Sequence, residues 1–126
     1  MEALYIEPTA ESPEISLDKD QALFNIGGIS RPENVIEFYQ PVMDWLKKYA
    51  ENPLDTTDFH FRFDYFNTSS LKSLLIILAE LKKIEDAGKE LKITWHYDEE
   101  DQPMEEAGEL LQDLSELEFI YKINEE

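Results

Sequence analysis

Nine residues, Asp58 to Phe66, constrain the fold more than any other stretch: Phe59, Phe61, Phe63 and Tyr65 alternate with His60, Arg62 and Asp64. Successive side chains of a β-strand point to opposite faces, so this period predicts a strand with an aromatic face in a core and a polar face outside it. A helix would scatter the same rings around its whole circumference. The strand runs directly into Asn67-Thr68-Ser69-Ser70 and then into a leucine-rich stretch, Ser69 to Ala87. There Leu71, Leu74, Leu75, Leu78 and Leu81 share one side, Ile76 and Ile77 widen the stripe, and Gly88 stands where a helix ends.

The same two periods recur along the chain. Leu91, Ile93, Trp95 and Tyr97 alternate with Lys92, Thr94 and His96, and Phe119, Tyr121 and Ile123 alternate with Glu118, Ile120 and Lys122. Ile15 and Leu17, the turn residues Lys19-Asp20, and then Ala22 to Ile26 predict a hairpin. The stretch around Pro8 and Pro13 reads as an irregular lead-in. Helical spacing returns in Asn34 to Tyr49, with Val35, Phe38, Tyr39, Val42 and Leu46 on one face. Asn34 and Glu37 form a cap with its reciprocal partner, and Pro41 removes one hydrogen bond and bends the helix. Pro103 to Leu114 is a third, weaker and very acidic helix.

Strands alternating with helices imply an α/β fold with a mixed, mostly parallel sheet of about five strands. Strands buried on both faces would be apolar throughout, and these alternate. The helices therefore lie mainly on one face, and the other face meets water or a partner. A length of 126 residues suits a single domain over 1–126.

Charge and composition then remove whole classes of function. The net charge is −18, which repels phosphate backbones and anionic lipids, so neither nucleic acid nor a membrane surface is an expected partner. Residues 98–126 carry twelve acids and one base, and residues 22–97 are close to neutral. The core therefore belongs in the middle, and the acidic ends read as solvated surface. With no cysteine there is no disulfide, thiolate metal site or cysteine nucleophile. The start of the chain lacks a basic leader, and the longest apolar run, Leu74 to Ala79, is far short of a membrane span. A cytoplasmic location is expected.

Chemistry concentrates at Phe66-Asn67-Thr68-Ser69-Ser70-Leu71-Lys72, where the aromatic strand turns into the leucine-rich helix. Asn, Thr and Ser all cap helices by accepting from free N–H groups of the first turn, and one such residue suffices. The alternative is modification. A hydroxyl at a helix N-terminus is a good phosphoacceptor, because the dipole and the free N–H groups stabilise an added charge of about −1.5 to −2. Spacing alone leaves both readings open and favours capping.

The segment Tyr65-Phe66-Asn67-Thr68-Ser69-Ser70-Leu71-Lys72 resembles the signature of the SiaC family of regulatory phosphoproteins. Arg31-Pro32-Glu33-Asn34, Asp44-Trp45 and Thr94-Trp95-His96-Tyr97-Asp98 fit the same family, in the same order, over most of the chain. More distantly, Asn67-Thr68-Ser69-Ser70-Leu71 is similar to the phosphorylated turn of anti-anti-sigma (STAS) domains, with Thr68 in the place of the modified serine. The resemblance implies a STAS-like two-layer fold and a phosphorylation-controlled, partner-switching adaptor that is not an enzyme and needs no cofactor. In the family, a Ser/Thr kinase phosphorylates this threonine and a PP2C-type phosphatase removes the phosphate. The unmodified protein binds and activates a diguanylate cyclase, which ties the switch to cyclic-di-GMP and biofilm formation. Carried over to this chain, the resemblance makes Thr68 the phosphoacceptor. Asn67, Ser69, Ser70 and Lys72 shape the turn or touch the partner. The chain departs from the family pattern at Pro41 and in its acidic C-terminal third.

Other candidates are weaker. His60 and His96 fall on polar strand faces with no metal-ligand spacing, and are expected to be exposed. Glu99-Glu100-Asp101 with Glu105-Glu106 lacks the glycine and alternation of a calcium loop and reads as solvated. Asn67-Thr68-Ser69 matches a glycosylation sequon without a secretion signal, and Gly27-Gly28 is too short for a phosphate loop. Trp45 and Trp95 read as packing. A hydrolase built on Ser69 or Ser70 with His96 and Asp98 lacks the glycine-flanked nucleophile elbow. Besides the phosphorylation switch, the main competing reading is a STAS-like protein-binding module with another partner and no switch.

Overall fold

The computed structural model describes residues 1–125. Its elements run β1 (Leu4–Ile6), β2 (Glu14–Asp18), β3 (Leu23–Ser30), α1 (Val35–Glu51), β4 (Thr56–Phe66), α2 (Thr68–Asp86), β5 (Glu90–Tyr97), α3 (Gln102–Ser115) and β6 (Phe119–Ile123). The sheet has six strands in sequence order, where about five were expected. The extra strand is β1, which pairs antiparallel with β2 through Leu4↔Leu17 and Ile6↔Ile15. Three residues are too few to display a period, so only the neighbouring strand reveals it. The β2–β3 hairpin forms as expected, closed by the Ala22 N–H donating to the Lys19 carbonyl at 3.1 Å.

From β3 to β6 every pairing is parallel and every crossover carries a helix. Strand order advances in one direction, so right-handed crossovers put α1, α2 and α3 on the same face. Beneath them lies an aromatic core. Phe24 packs 5.1 Å from Tyr49, Phe61 packs 5.7 Å from Trp95, and Trp45 stacks 5.2 Å from Tyr49. Trp95 donates its indole N–H to the Met104 carbonyl at 2.9 Å. A Cβ on Gly108 would stand 2.6 Å from the Trp95 ring, so glycine is what lets α3 lie on the indole. Helix α1 runs through Pro41 without interruption. Among the described residues no helix is long and apolar enough to cross a membrane.

One irregularity shapes the end of β4. Gly28 pairs with Phe63 and Ile29 with Tyr65, so Asp64 is an extra residue in β4. Gly28 sits at φ +106°, a conformation open to glycine. The extra residue exchanges the two faces of the strand beyond it. Tyr65, expected among the inward aromatics, is 48% exposed, and Phe66 turns inward instead, 5.5 Å from Phe63 and 6.2 Å from Trp95. The bulge therefore sets the phase in which the chain enters the next turn.

Candidate functional site

That turn starts α2. Asn67 is the N-cap, and its backbone N–H donates to the Ser30 carbonyl at 3.0 Å, anchoring the turn to the end of β3. Its Oδ1 accepts from the Ser70 N–H at 3.1 Å and from the hydroxyls of Ser69 and Ser70 at 2.9 Å each. Below it runs a buried line of hydroxyls. Tyr39 lies 2.6 Å from Ser30 Oγ, which lies 2.9 Å from Ser70 Oγ. Each hydroxyl has one proton, so the line is satisfied when Tyr39 donates to Ser30, Ser30 to Ser70, and Ser70 to Asn67. Burial pushes the Tyr39 phenol up to about 12, with the Ser30 bond opposing in part, so Tyr39 stays a donor at any physiological pH.

The four polar residues of the turn thus divide. Ser70 is fully buried, which leaves it the task of shaping the turn. Asn67 is half-buried and organises its neighbours. Thr68 and Ser69 are exposed, and among the described residues no hydrogen bond holds the Thr68 hydroxyl. Lys72 stands exposed one helical turn further on. Helix geometry dictates the split, since positions three apart on one turn, Asn67 and Ser70, meet on the same side.

The electrostatics set this helix start apart. The first turns of α1 and α3 carry Glu37 and Glu105, whereas the first turn of α2 has no acid. In a chain of 29 acids, the positive end of this dipole is left without its own counter-charge. Between α1 and α2 a shallow groove is lined by Ile36, Tyr39, Gln40, Met43, Lys47, Ser73 and Ile76. Ile36 is 74% and Ile76 44% exposed, so this face offers apolar contact area on the same helix pair that carries Thr68.

The remaining candidates take structural places. Asp101 accepts from the Met104 N–H at 3.1 Å and caps α3. His96 is only 3% exposed, against the expectation of an exposed sheet-face histidine. It is hemmed in by His60 and Arg62 of β4 and by its register partner Lys122 on β6. Both of its ring nitrogens are engaged, as is the Ser70 hydroxyl, so these groups do not form a nucleophile and base. Sequence reasoning missed Ser30 and Tyr39. Ser30 meets Ser70 across 40 residues, a distance over which no local pattern carries a signal.

The fold and the sequence that builds this turn are those of a family of regulatory proteins. Residues 6–123 match the family model described as SiaC family regulatory phosphoprotein, and the chain belongs to that family. It is 28% identical to an uncharacterized protein of Pseudomonas aeruginosa strain UCBPP-PA14, over the full length of both. The structure of SiaC of Pseudomonas aeruginosa superposes with a TM-score of 0.85 at 28% identity, covering 98% of each chain. A chain in the crystal structure of the diguanylate cyclase SiaD in complex with its activator SiaC gives a TM-score of 0.88 at 27% identity, covering 96% of this chain and 99% of that one. The family is regulatory, and its members are not themselves the enzymes.

Proposed function

We propose that this chain is a phosphorylation-controlled adaptor whose unmodified form binds and activates a diguanylate cyclase. A Ser/Thr kinase phosphorylates Thr68, which releases the effector, and a PP2C-type phosphatase restores binding. The observation that carries this reading is the placement of Thr68. It is the first residue of α2, its hydroxyl is exposed, and the first turn it opens has no acid. The likeness to an activator of a diguanylate cyclase supplies the class of effector.

Charge supplies the mechanism. The unmodified turn offers small neutral hydroxyls, and the same helix pair exposes Ile36 and Ile76, which together make a surface a partner can cover. Ser69, Lys72 and the accessible edge of Asn67 complete that surface. A phosphate dianion trapped in a dry contact costs several kcal/mol, about a hundredfold or more in affinity. The same dianion is accommodated by the helix start itself, so the fold stays intact while the partner leaves.

The test compares binding of Thr68→Ala and Thr68→Asp to a purified diguanylate cyclase effector by calorimetry. The alanine variant binds within a few-fold of the unmodified protein, and the aspartate variant binds at least tenfold more weakly. Equal affinity of the two variants overturns the reading.

A further inference from the structure

The open face of the sheet holds an ordered polar line that shares no residue with the turn at Thr68. Arg62 Nη1 lies 3.3 Å from His96 Nδ1, His96 Nε2 lies 2.8 Å from His60 Nδ1, and His60 Nε2 lies 3.3 Å from Asp58 Oδ2. Both ends are fixed. Arg62 Nε donates to Asn25 Oδ1 on β3 at 2.9 Å, and the Thr94 hydroxyl on β5 donates to Asp58 Oδ1 at 3.2 Å.

This geometry admits one placement of protons. Guanidinium is only a donor, so His96 Nδ1 must be bare and the neutral ring carries its proton on Nε2. That proton faces His60 Nδ1, which must then accept, so His60 carries its own proton on Nε2, toward the Asp58 carboxylate. We infer that His60 and His96 share a single proton between their facing nitrogens and form an acid-sensitive latch between β4 and β5. One further ring proton leaves two N–H groups facing each other across 2.8 Å, or turns a second N–H against Arg62. The latch has one closed protonation state, and acid opens it.

The surroundings act in the same direction. Burial, then the charges of Arg62, His60 and Lys122, hold His96 down at about 4, with Asp58 pulling the other way. Facing the pair are Asp58 and Arg62 from β4, Asn25 from β3, Thr94 from β5 and Lys122 from β6. The sign is definite. In the unfolded chain His96 titrates at the ordinary value near 6.5, so between that pH and about 4 the unfolded state binds more protons. The latch's contribution is complete above about 6.5 and is lost as the pH falls toward 4. The turn at Thr68 depends on Asn67, Ser70, Ser30 and Tyr39, none of which titrates in that range. Acid therefore loosens the open face and spares the switch.

The direct test is an NMR titration of the ring nitrogens in the full chain from pH 8 to pH 3.5. Near neutrality both rings carry the proton on Nε2, and as His96 gains its second proton the amide signals of β4 and β5 shift while those of Asn67 to Leu71 stay steady. A His60 ring protonated on Nδ1 at neutral pH overturns the assignment, as does a His96 ring that gains a proton with no change at the His60 ring nitrogens. A second arm uses His96→Gln, whose amide can present either a donor or an acceptor to His60. Between pH 7.5 and 5 its unfolding temperature falls by about 4 °C less than that of the parent. An identical fall in both proteins also counts against the latch.

Discussion

Asn34 and Asn67 each cap a long helix, and each accepts a backbone N–H three residues on at 3.1 Å. Beyond that bond the two helix starts part company. At α1 the cap is closed by its own neighbour, as Asn34 Nδ2 donates to Glu37 Oε2 at 3.1 Å, and all of it lies in water. The acid there answers the helix dipole locally. At α2 the corresponding position is Ser70, fully buried, and the cap is tied through Ser30 and Tyr39 to β3 and α1. No acid sits in that turn. One start is electrostatically complete and mechanically free. The other is mechanically held and electrostatically open, which suits a site that accepts a charge without moving.

Substitutions at matched positions test this contrast. The largest difference is expected at the third residue of each helix. Ser70→Val leaves the buried Ser30 hydroxyl and the Asn67 amide short of partners and lowers the unfolding free energy by about 3 kcal/mol. Glu37→Val costs only about 0.5 kcal/mol. Comparable losses in urea denaturation would show that the hydroxyl line anchors nothing. The caps themselves come next. Asn67→Ala, which removes an acceptor of three hydrogen bonds, costs about 2 kcal/mol, and Asn34→Ala about 1 kcal/mol. The reverse order, read from thermal melts, breaks the comparison. The smallest effect is the sharpest in sign. Thr68→Asp puts an anion where the dipole has none and raises stability by about 0.5 kcal/mol, while Glu37→Gln lowers it by about 0.3 kcal/mol. A destabilised Thr68→Asp protein would mean that charge at this turn disturbs the fold.

Much of this was legible before any coordinates. The aromatic alternation of β4, the leucine stripe of α2 and the polar run between them begin a helix at Ser69, one residue from the start of α2 at Thr68, and leave open which polar residue caps it. The absence of acid after Asn67 is likewise plain in the chain, though only comparison with α1 and α3 gives it meaning. Less legible were Tyr65 and His96. The bulge at Asp64 turned Tyr65 outward, and cover from β4 and β6 buried His96.

By itself, the order of residues determined the strands long enough to show a period, the three helices, the parallel core of the sheet and the turn at which the candidate site residues cluster. These follow from side-chain spacing within one element, a local property. Tertiary structure alone decided which of Thr68, Ser69 and Ser70 faces solvent, that Ser30 and Tyr39 hold the turn, that β1 exists, and that two histidines 36 residues apart meet at 2.8 Å. Those outcomes depend on what lies across a strand pair or beneath a helix, and groups brought together by the fold leave no period in the chain to read.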